Sequence, residues 1–507
     1  MPRRERGFIN FLQVIRRSGR SQSEDTFTKS RPVDGDALTY LSMRMIEVFQ
    51  YEQMESIKKG LEKLFPKIEG FTNNQSFKEY FDQIENSINS GSWRSIGIIY
   101  RNKKPIISDN TFCLENLPNE VDFIEIGLHK TLPSLIVVTL DIQFNITATN
   151  NLKNIQSSKY LPEIQFNDIF LKERFISSRF NTSEQCLRKE VLNYTYGLRE
   201  KIEIAIRPYV FGEFMGNVKS APRLPVIEIY SYTTAEKIEV RNFEDWKKRS
   251  NLWFESYGFR DYLDVYLNEN MAFFWSNDSY FTDDITPNRI LIFQDNFLKG
   301  NNLQMYGNNE KNAIFHLVKE DLDNSIAPLI ILEILKLDIK NLERIRSKIF
   351  KTMKDNSYQK PRLNIKFVLF NDFQKINRKI SRLLVEFDQN KKYFKNNIFE
   401  SEIFELIFRN RKSDLNKEAE TLEINIYNRI KYLRKILTDH LKYIKESFST
   451  YIELLNASEI YRLQKYTILL AIIAIIIAML NFHQIQEKIA LILNLFIEIA
   501  VRILRKL

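Results

Sequence analysis

The chain has 507 residues, of which 44% are hydrophobic and 27% are charged, and its formal net charge is +10. This composition excludes a disordered or collagen-like chain, and the length predicts two or three folded units. Two cysteines and four histidines are too few for a disulfide framework, a thiolate zinc site or a histidine-rich metal centre. From the residues alone we therefore expect no metal and no cofactor.

The positive charge lies at the two ends of the chain. Residues 1–20 carry six arginines against one glutamate, and residues 426–507 carry twelve lysines and arginines against six acids. Residues 21–425 are then close to neutral. Duplex DNA needs many phosphate contacts from one folded face, so we expect no direct nucleic-acid binding. A lipid bilayer is the better partner for this charge.

Residues 1–36 form a basic arm that ends in a linker rich in Ser, Asp and Gly. Two interpretations of the arm stay open: a short amphipathic helix on anionic lipid, or a tail that docks on its own domain. The arm lacks the apolar core of a secretory signal, so we expect the bulk of the chain to lie in the reducing cytosol. The arginines expected to face lipid are Arg3, Arg4, Arg6, Arg16 and Arg17.

Strand-like and helical stretches alternate over residues 37–310, which predicts an α+β or α/β cytosolic domain. Segments rich in β-branched and aromatic residues predict its strands. The predicted strands are Ser95–Tyr100, Val121–Ile126, Leu135–Phe144 and Pro225–Tyr232, and the predicted helices are 37–65, 76–89 and 185–206. We interpret this domain as sensory rather than catalytic.

No sequence motif marks an active site. The P-loop, the GxGxxG fingerprint, HExxH and GxSxG are all absent. Asp122, Glu125 and Lys130 come nearest to a metal-dependent nuclease pattern, but the lysine follows the second acid by five residues instead of two. We therefore expect no enzyme and assign no catalytic residue.

Residues 311–413 predict a helical domain. Its helices are expected at 314–355 and 371–412, and Leu363–Phe370 is either a short strand or the start of the second helix. These helices would brace a stalk helix over residues 414–465.

The stalk carries an apolar stripe that repeats every eleven residues. A repeat of about 3.67 residues per turn keeps such a stripe nearly straight along a helix. The stripe consists of Ile430, Leu433, Leu437, Leu441, Ile444, Phe448, Ile452, Leu455 and Leu463. It suits either an ordinary antiparallel bundle helix or a stalk that self-associates, and we favour the stalk because a lone helix would leave the stripe in water.

Residues 466–482 predict a first transmembrane helix, because Ile468–Leu480 is apolar without interruption. The alternative is a buried core helix, which normally keeps a polar stripe that this segment lacks. Residues 489–507 predict either a second span or an interfacial amphipathic helix. The polar stripe of this last helix contains Asn494, Glu498 and Arg502.

Basic residues flank both apolar segments on the sides that a hairpin would bring together. Arg462 and Lys465 precede the first segment, and Arg505 and Lys506 follow the second. The positive-inside rule then favours two spans in the inner (cytoplasmic) membrane with both termini in the cytoplasm.

The order of stalk, short span, polar link, second span and basic end resembles that of the two-transmembrane CorA-type magnesium transporters. That family carries Gly-Met-Asn, often followed by Phe, at the outer end of the first span. Here Met479-Leu480-Asn481-Phe482 stands at that place, so Asn481 and Phe482 match and the glycine does not. The resemblance covers about residues 415–507.

The resemblance implies a homopentamer whose first spans line a pore and point Asn456, Gln464, Thr467 and Asn481 at the axis. It also implies a divalent cation as the permeating ion. The family includes divergent members associated with antiviral CRISPR systems, which implies a nucleotide-type messenger or another small molecule as activator. We therefore expect a membrane-embedded homo-oligomeric channel or antiviral effector gated by its sensor domain, or alternatively a non-conducting membrane-anchored scaffold that recruits partners.

Overall fold

The computed structural model describes residues 37–65, 67–69, 74–76, 93–101, 111–158, 160, 163–167, 177–181, 183–217, 224–233, 257, 259, 264–268, 271–276, 287–293, 309–355, 363–389, 405–409 and 421–504. By internal packing the chain divides into two compact units. The first unit comprises residues 1–347 and 372–437, and the second comprises 348–371 and 438–507.

Fourteen strands are present among the described residues, and ten of them form one mixed sheet in the first unit. The strands are β1 (Ala37–Gln50), β2 (Lys67–Glu69), β3 (Asn74–Ser76), β4 (Trp93–Tyr100), β5 (Thr111–Cys113), β6 (Val121–Leu132), β7 (Leu135–Phe144), β8 (Glu163–Asn167), β9 (Ser177–Asn181), β10 (Val226–Thr233), β11 (Asp264–Leu267), β12 (Met271–Trp275), β13 (Asn288–Phe293) and β14 (Glu405–Arg409). The large sheet runs in the order β14-β11-β12-β13-β10-β1-β7-β6-β4-β5. Its β10–β13 and β4–β5 pairs are parallel and the rest are antiparallel. The β2–β3 and β8–β9 pairs form two small separate sheets.

Seven α-helices complete the described part of the chain. They are α1 (Met54–Leu64), α2 (Ile146–Ser157), α3 (Ser183–Ile206), α4 (Glu213–Asn217), α5 (Glu310–Asp355), α6 (Leu363–Gln389) and α7 (Leu422–Leu504). The predicted mixed α+β class is confirmed, as are the four predicted strands and the helix at 185–206. The predicted helix at 76–89 lies almost wholly outside the described residues.

The predicted helix over residues 37–65 is wrong in its first half, where β1 occupies the centre of the sheet. β1 pairs with β10 on one side and with β7 on the other. Nearly every side chain of β1 is buried, on both faces of the sheet. A strand buried on both faces shows no polar-apolar alternation, and its Leu and Met residues favour helix locally. Tertiary pairing therefore overrides local propensity here.

The helical region differs from the prediction at two places. Leu363–Phe370 is the start of α6, so the helix interpretation of this segment is confirmed. The helix predicted to reach residue 412 ends at Gln389, and residues of the same stretch form the edge strand β14, which pairs with β11. The segment ELIFR is short and has an apolar centre, Leu406–Phe408, so an open sheet edge can recruit it as a strand.

The compact units do not follow the predicted domain boundaries at 310/311 and 413/414. Residues of α5 up to 347 and of α6 from 372 belong to the same unit as the sheet. Polar contacts to the sheet region accompany this grouping. Lys319 of α5 forms an ion pair with Glu125 of β6, and Glu386 of α6 accepts hydrogen bonds from the backbone N–H and the hydroxyl of Ser134. The helices after residue 310 therefore pack as part of the α+β fold.

Much of the stripe predicted for the stalk is covered within the chain. In the first unit Ile430, Leu433 and Leu437 are fully buried, and Arg434 lies 5.1 Å from the ring centroid of Phe387 on α6. In the second unit Ile444 and Phe448 are buried, and the rings of Phe448 and Phe370 are 5.9 Å apart. Over residues 430–448 the stripe therefore behaves as the seam of a bundle helix, and it is not an exposed surface for a second copy. For this part the packing favours the alternative of a bundle helix, and self-association of the stalk stays a prediction.

The predicted hairpin of two spans is wrong. Residues 483–488, expected to form a polar link, are helical, and α7 continues through them to Leu504. Among the described residues one helical stretch is long and apolar enough to cross a membrane, Ile460–Ala478. The second apolar stretch fails because charges at Glu487, Lys488 and Glu498 leave Ile489–Ile497 too short to span. The expected two-span topology, with both termini in the cytoplasm, is withdrawn.

Candidate functional site

No residue of the apolar segment Ile460–Ala478 of α7 is buried inside the chain. Leu463 and Leu470 are about two-thirds exposed, at 64% and 65%, whereas Leu433 of the same helix is fully buried. From Ile468 to Ala478 every side chain is apolar and exposed, and a surface of this kind is unstable in water and marks a contact with lipid or with another chain. The alternative of a buried core helix is therefore wrong for this segment.

The dimensions and flanks of the apolar segment match a bilayer. Nineteen helical residues extend about 28 Å, close to the ~30 Å thickness of a hydrocarbon core. Tyr461 and Tyr466 are exposed near its N-terminal end, where aromatic side chains suit the lipid–water interface. Arg462 and Lys465 lie in the same turns and are exposed, so their long side chains can reach the headgroups.

The residues predicted to line a pore lie on α7, and three of them have described side chains. Asn456, Gln464 and Thr467 are exposed, and the Thr467 hydroxyl donates to the Leu463 carbonyl at 2.9 Å. The helix carries Asn481 as well, but its side chain lies outside the described residues. Spacings of eleven and fourteen residues place Asn456, Thr467 and Asn481 on one helical face, with Gln464 beside it.

The same face of the apolar segment carries small residues. Ala471, Ala474 and Ala478 follow Thr467 at four, seven and eleven residues, and all are exposed. Small side chains at such spacing let membrane helices approach closely. The predicted pore residues and these alanines therefore share one face, and bulky Ile and Leu residues occupy the rest of the helix.

The polar stripe of the C-terminal helix is present and solvent-exposed. Asn494, Glu498 and Arg502 follow one another at intervals of four residues and lie on one face of α7. The remaining residues expected to face lipid lie outside the described residues. These are Arg505 and Lys506 at the end of the chain and the arginines of the arm, Arg3, Arg4, Arg6, Arg16 and Arg17.

A second candidate is a row of charged residues buried across three central strands of the sheet. Arg44 of β1 stands directly opposite Asp141 of β7, which stands directly opposite Glu125 of β6. Arg44 donates from Nε and Nη2 to the two carboxylate oxygens of Asp141, the latter at 3.0 Å. All three side chains are buried. A bidentate, desolvated pair of this kind fixes the geometry of both groups.

Helix α5 places complementary charges over this row. Lys319 binds Glu125, and Asp323 lies 2.6 Å from Nη1 of Arg44. Lys319 and Asp323 are four residues apart, so they share one face of α5. We call Arg44, Glu125, Asp141, Lys319 and Asp323 the charge cluster.

One carboxyl group of the charge cluster, that of Asp323, has a pKa close to neutral pH. Burial raises the pKa of Asp323 to about 7, against the opposing effects of Arg44 and Lys319. For Glu125 burial acts upward, but Lys319 and the Ser95 hydroxyl outweigh it and the pKa is lowered. Burial and then Arg44 lower the pKa of the neighbouring His129 to about 4, so this imidazole is neutral at physiological pH.

Two further buried ion pairs hold other parts of the fold. Arg289 of β13 binds Glu228 of β10 at 2.9 Å, and its guanidinium lies 5.4 Å from the ring centroid of Phe259. Lys379 of α6 lies 2.9 Å from Asp338 of α5. Each buried acid here faces a cation, which is the condition for keeping charge inside a protein.

The carboxylate of Glu47 on β1 holds the start of α4. It accepts the backbone N–H groups of Phe214 at 2.9 Å and of Met215 at 3.0 Å. Burial raises the pKa of Glu47 to about 7, although these hydrogen bonds act to lower it. Glu47 and Arg44 are three residues apart on β1, and successive side chains of a strand alternate between its two faces. Glu47 therefore points to the opposite face of the sheet from the charge cluster.

The charge cluster joins three strands of the sheet to helix α5. Within the part of the chain that is described, no three His, Cys, Asp or Glu side chains gather as metal ligands. Sequence reasoning noted Glu125 but missed the cluster as a whole. The available signal was a single charge inside an apolar strand, as Asp141 in LIVVTLDIQF and Arg44 in LSMRMIEV.

Comparison with protein-family models, with curated proteins and with solved structures finds no match to this chain.

Proposed function

We propose that this protein is a membrane effector that inserts the apolar segment Ile460–Ala478 into a bilayer as a single span and assembles there with copies of itself. The observation that carries the proposal is that no residue of that segment is buried within the chain. Nine Ile and Leu residues lie between Ile468 and Leu480. At roughly 0.3–0.6 kcal/mol each, they favour insertion by about 3–5 kcal/mol.

The face that holds Thr467, Ala471, Ala474 and Ala478 supports assembly of the inserted helices. Small residues at this spacing allow close packing between helices in lipid. In such an assembly Asn456 and Gln464 lie near the entrance of the axis. The stretch from Ile468 to Leu480 has no polar side chain, so it would form a hydrophobic constriction that excludes ions by dewetting.

This arrangement supports a channel that is closed at rest and opened through the folded α+β domain. The CorA-like order of stalk and span supports the same function, with a divalent cation or a nucleotide-type messenger as the ligand that the resemblance implies. An antiviral effector role belongs to the same resemblance.

One observation favours a second function, a non-conducting membrane anchor for a partner-recruiting domain. The apolar stripe is buried within the chain over residues 430–448, so no long exposed seam in this region holds copies together. The uniformly apolar constriction also suits a helix that only anchors.

Insertion is tested with the double variant Ile473→Arg, Ile476→Arg. An arginine at the centre of a span costs about 2.5–3.5 kcal/mol, so two exceed the whole insertion energy. We expect the wild-type protein to sediment with membranes and to need detergent for extraction, and the variant to stay in the supernatant. The control is Tyr432→Arg, Tyr443→Arg, which adds the same charge at exposed sites of α7 outside the segment. A wild-type protein that is soluble without detergent refutes the proposal.

Assembly and conduction are tested by placing one substitution on each face. In a background lacking Cys113 and Cys186, Ala474→Cys should form an interchain disulfide, and Ile476→Cys on the opposite face should not. In planar bilayers Ala474→Asn should wet the constriction and raise the resting conductance, whereas Ile476→Asn should not. If Ala474→Cys forms the disulfide but neither Ala474→Asn nor Ile476→Asn conducts ions, the protein is a non-conducting membrane anchor.

A further inference from the structure

Helix α5 consists of two parts on either side of a proline. Pro328 lies inside the helix and cannot donate the backbone hydrogen bond to residue 324. After the proline, Leu329–Leu332 is buried without a gap. Before it, residues 310–323 lie against the sheet, and we call this part the α5 arm. The proline therefore divides α5 into two parts that both bury apolar side chains, and the arm carries the ion pairs to the central strands of the sheet.

The contacts of the α5 arm combine a modest apolar layer with a charged one. Its buried apolar side chains are Ala313, Ile314, Phe315, Val318 and Leu322. Its polar contacts to the sheet are Lys311 to the Phe144 carbonyl, Asn312 to Gln143 at 3.1 Å, Lys319 to Glu125 and Asp323 to Arg44. The two ion pairs, at Lys319 and Asp323, thus lie at the end of the arm nearest the proline.

The charge cluster is balanced only when Asp323 carries a proton. Arg44 then offsets Asp141, and Lys319 offsets Glu125. Ionised Asp323 adds a third carboxylate against the same two cations. The other titratable groups that face this region are His129 of β6 and His316 of the arm, and burial lowers the pKa of each, which favours the neutral imidazole.

We propose that the α5 arm is a pH-dependent clasp, which lies closed on the sheet while Asp323 is protonated and opens about Pro328 as Asp323 ionises. Opening brings Asp323 into water and uncovers Arg44 and its row of strand partners. This device requires neither the membrane span nor self-assembly, so it stands or falls independently of the proposed function.

The direction of the effect follows from proton linkage. In the closed arm Asp323 holds its proton up to about pH 7, whereas in water it ionises near its ordinary value of 3.8. The closed state therefore binds more protons than the open state across this interval, and raising the pH favours opening by up to about tenfold per pH unit. Between pH 5 and pH 8 the opening equilibrium should rise by about a hundredfold.

Hydrogen exchange of the full chain in detergent measures the opening directly. Exchange rates at pH 5, 6, 7 and 8 are divided by the intrinsic chemical rates, and the arm is compared with residues 330–345 of the same helix. We expect protection in the arm to fall by about a hundredfold from pH 5 to pH 8. Protection after Pro328 should change less, because the buried acid of that part, Asp338, keeps its ion pair with Lys379.

Three variants separate the clasp from general destabilisation. Asp323→Asn should make protection of the arm independent of pH. Glu320→Gln removes an exposed acid from the same turn and should behave as wild type. Glu47→Gln removes the carboxyl with a raised pKa on the other face of the sheet and should leave the pH profile of the arm unchanged. A wild-type arm whose protection does not vary with pH, or a profile unaltered in Asp323→Asn, overturns the proposal, and the wild-type result decides even where a variant fails to fold.

Discussion

Replacement of Arg44 by methionine tests whether the charge cluster holds the sheet and α5 together. Arg44 is fully buried, donates to both carboxylate oxygens of Asp141 and lies 2.6 Å from Asp323. Methionine fills a similar length but carries no charge. The substitution leaves Asp141 buried with no facing guanidinium, which is the costly way to break an internal ion pair.

The expected loss is about 3–5 kcal/mol at pH 8, the usual cost of removing one partner of a buried pair. Arg44 opposes the rise in the pKa of Asp323, so its removal raises that pKa further above about 7, and each unit of the rise is worth about 1.4 kcal/mol. The folded variant then binds a proton that the unfolded chain binds only at lower pH. Its deficit relative to wild type should therefore be at least about 1 kcal/mol smaller at pH 5 than at pH 8.

Urea unfolding of the full chain in mild detergent measures this effect, with tryptophan fluorescence reporting on the sheet through the buried Trp275. The double variant Arg44→Met, Asp141→Leu removes both charges and should recover at least about half of the loss, because Asp141 is no longer left as a buried charge without its cation. A loss below about 1 kcal/mol, or a loss of equal size at both pH values, would refute this account of the charge cluster.

Two further predictions concern the opposite face of the sheet and the packing of the helices. The folded-state pKa of Glu47 is raised to about 7, so the stability it confers is present below pH 4.5 and lost as the pH rises through 7. Glu47→Gln should remove up to about 3 kcal/mol of this pH dependence, as measured by unfolding at pH 5 and pH 8, and an unchanged slope would contradict it. Gly60→Ala should cost about 1–3 kcal/mol, because a Cβ atom there would clash with the Tyr209 carbonyl. Gly197 lies on helix α3, and a Cβ atom added there meets nothing within 4 Å. Gly197→Ala should therefore be neutral or stabilise by up to about 1 kcal/mol, and thermal unfolding measures both glycine variants.

The two proposals place different demands on the molecule. Insertion depends on the apolar segment Ile460–Ala478, whereas the clasp depends on the charge cluster. Loss of membrane binding in Ile473→Arg, Ile476→Arg should leave hydrogen exchange in the α5 arm unchanged. Conversely, Asp323→Asn should still sediment with membranes.

Several features of the fold could be predicted from residue pattern alone. The strands at Leu135–Phe144 and Pro225–Tyr232 are dense in β-branched and aromatic residues, which are enriched in strands because they pack well on a pleated, half-buried surface. The apolar segment of α7 could also be predicted from its own residues. A long run of apolar side chains is recognisable in the sequence whatever packs around it. Its start at Ile460 rather than Tyr466 is a difference of boundary, which composition defines poorly.

The charge cluster could not be predicted because it joins residues far apart in sequence. Arg44 and Asp141 are 97 residues apart, and only the register between β1 and β7 places them opposite each other. Pattern reasoning saw each charge as a single polar residue on a strand. The cost of burying each charge is offset by its partner, and the partner can be identified only when the pairing of the strands is known.

The sequence by itself determined the mixed α+β class, the concentration of charge at the ends and the helical stretch Ile468–Leu480, which is apolar on every side. Only the tertiary structure decided that Ala37–Gln50 is a strand, that the stripe from Ile430 to Phe448 is buried within the chain, and that α7 passes through the polar link without turning. The first group depends on the chemistry of neighbouring residues. The second depends on which surfaces meet, and an apolar stripe has the same sequence whether its own chain or another molecule covers it.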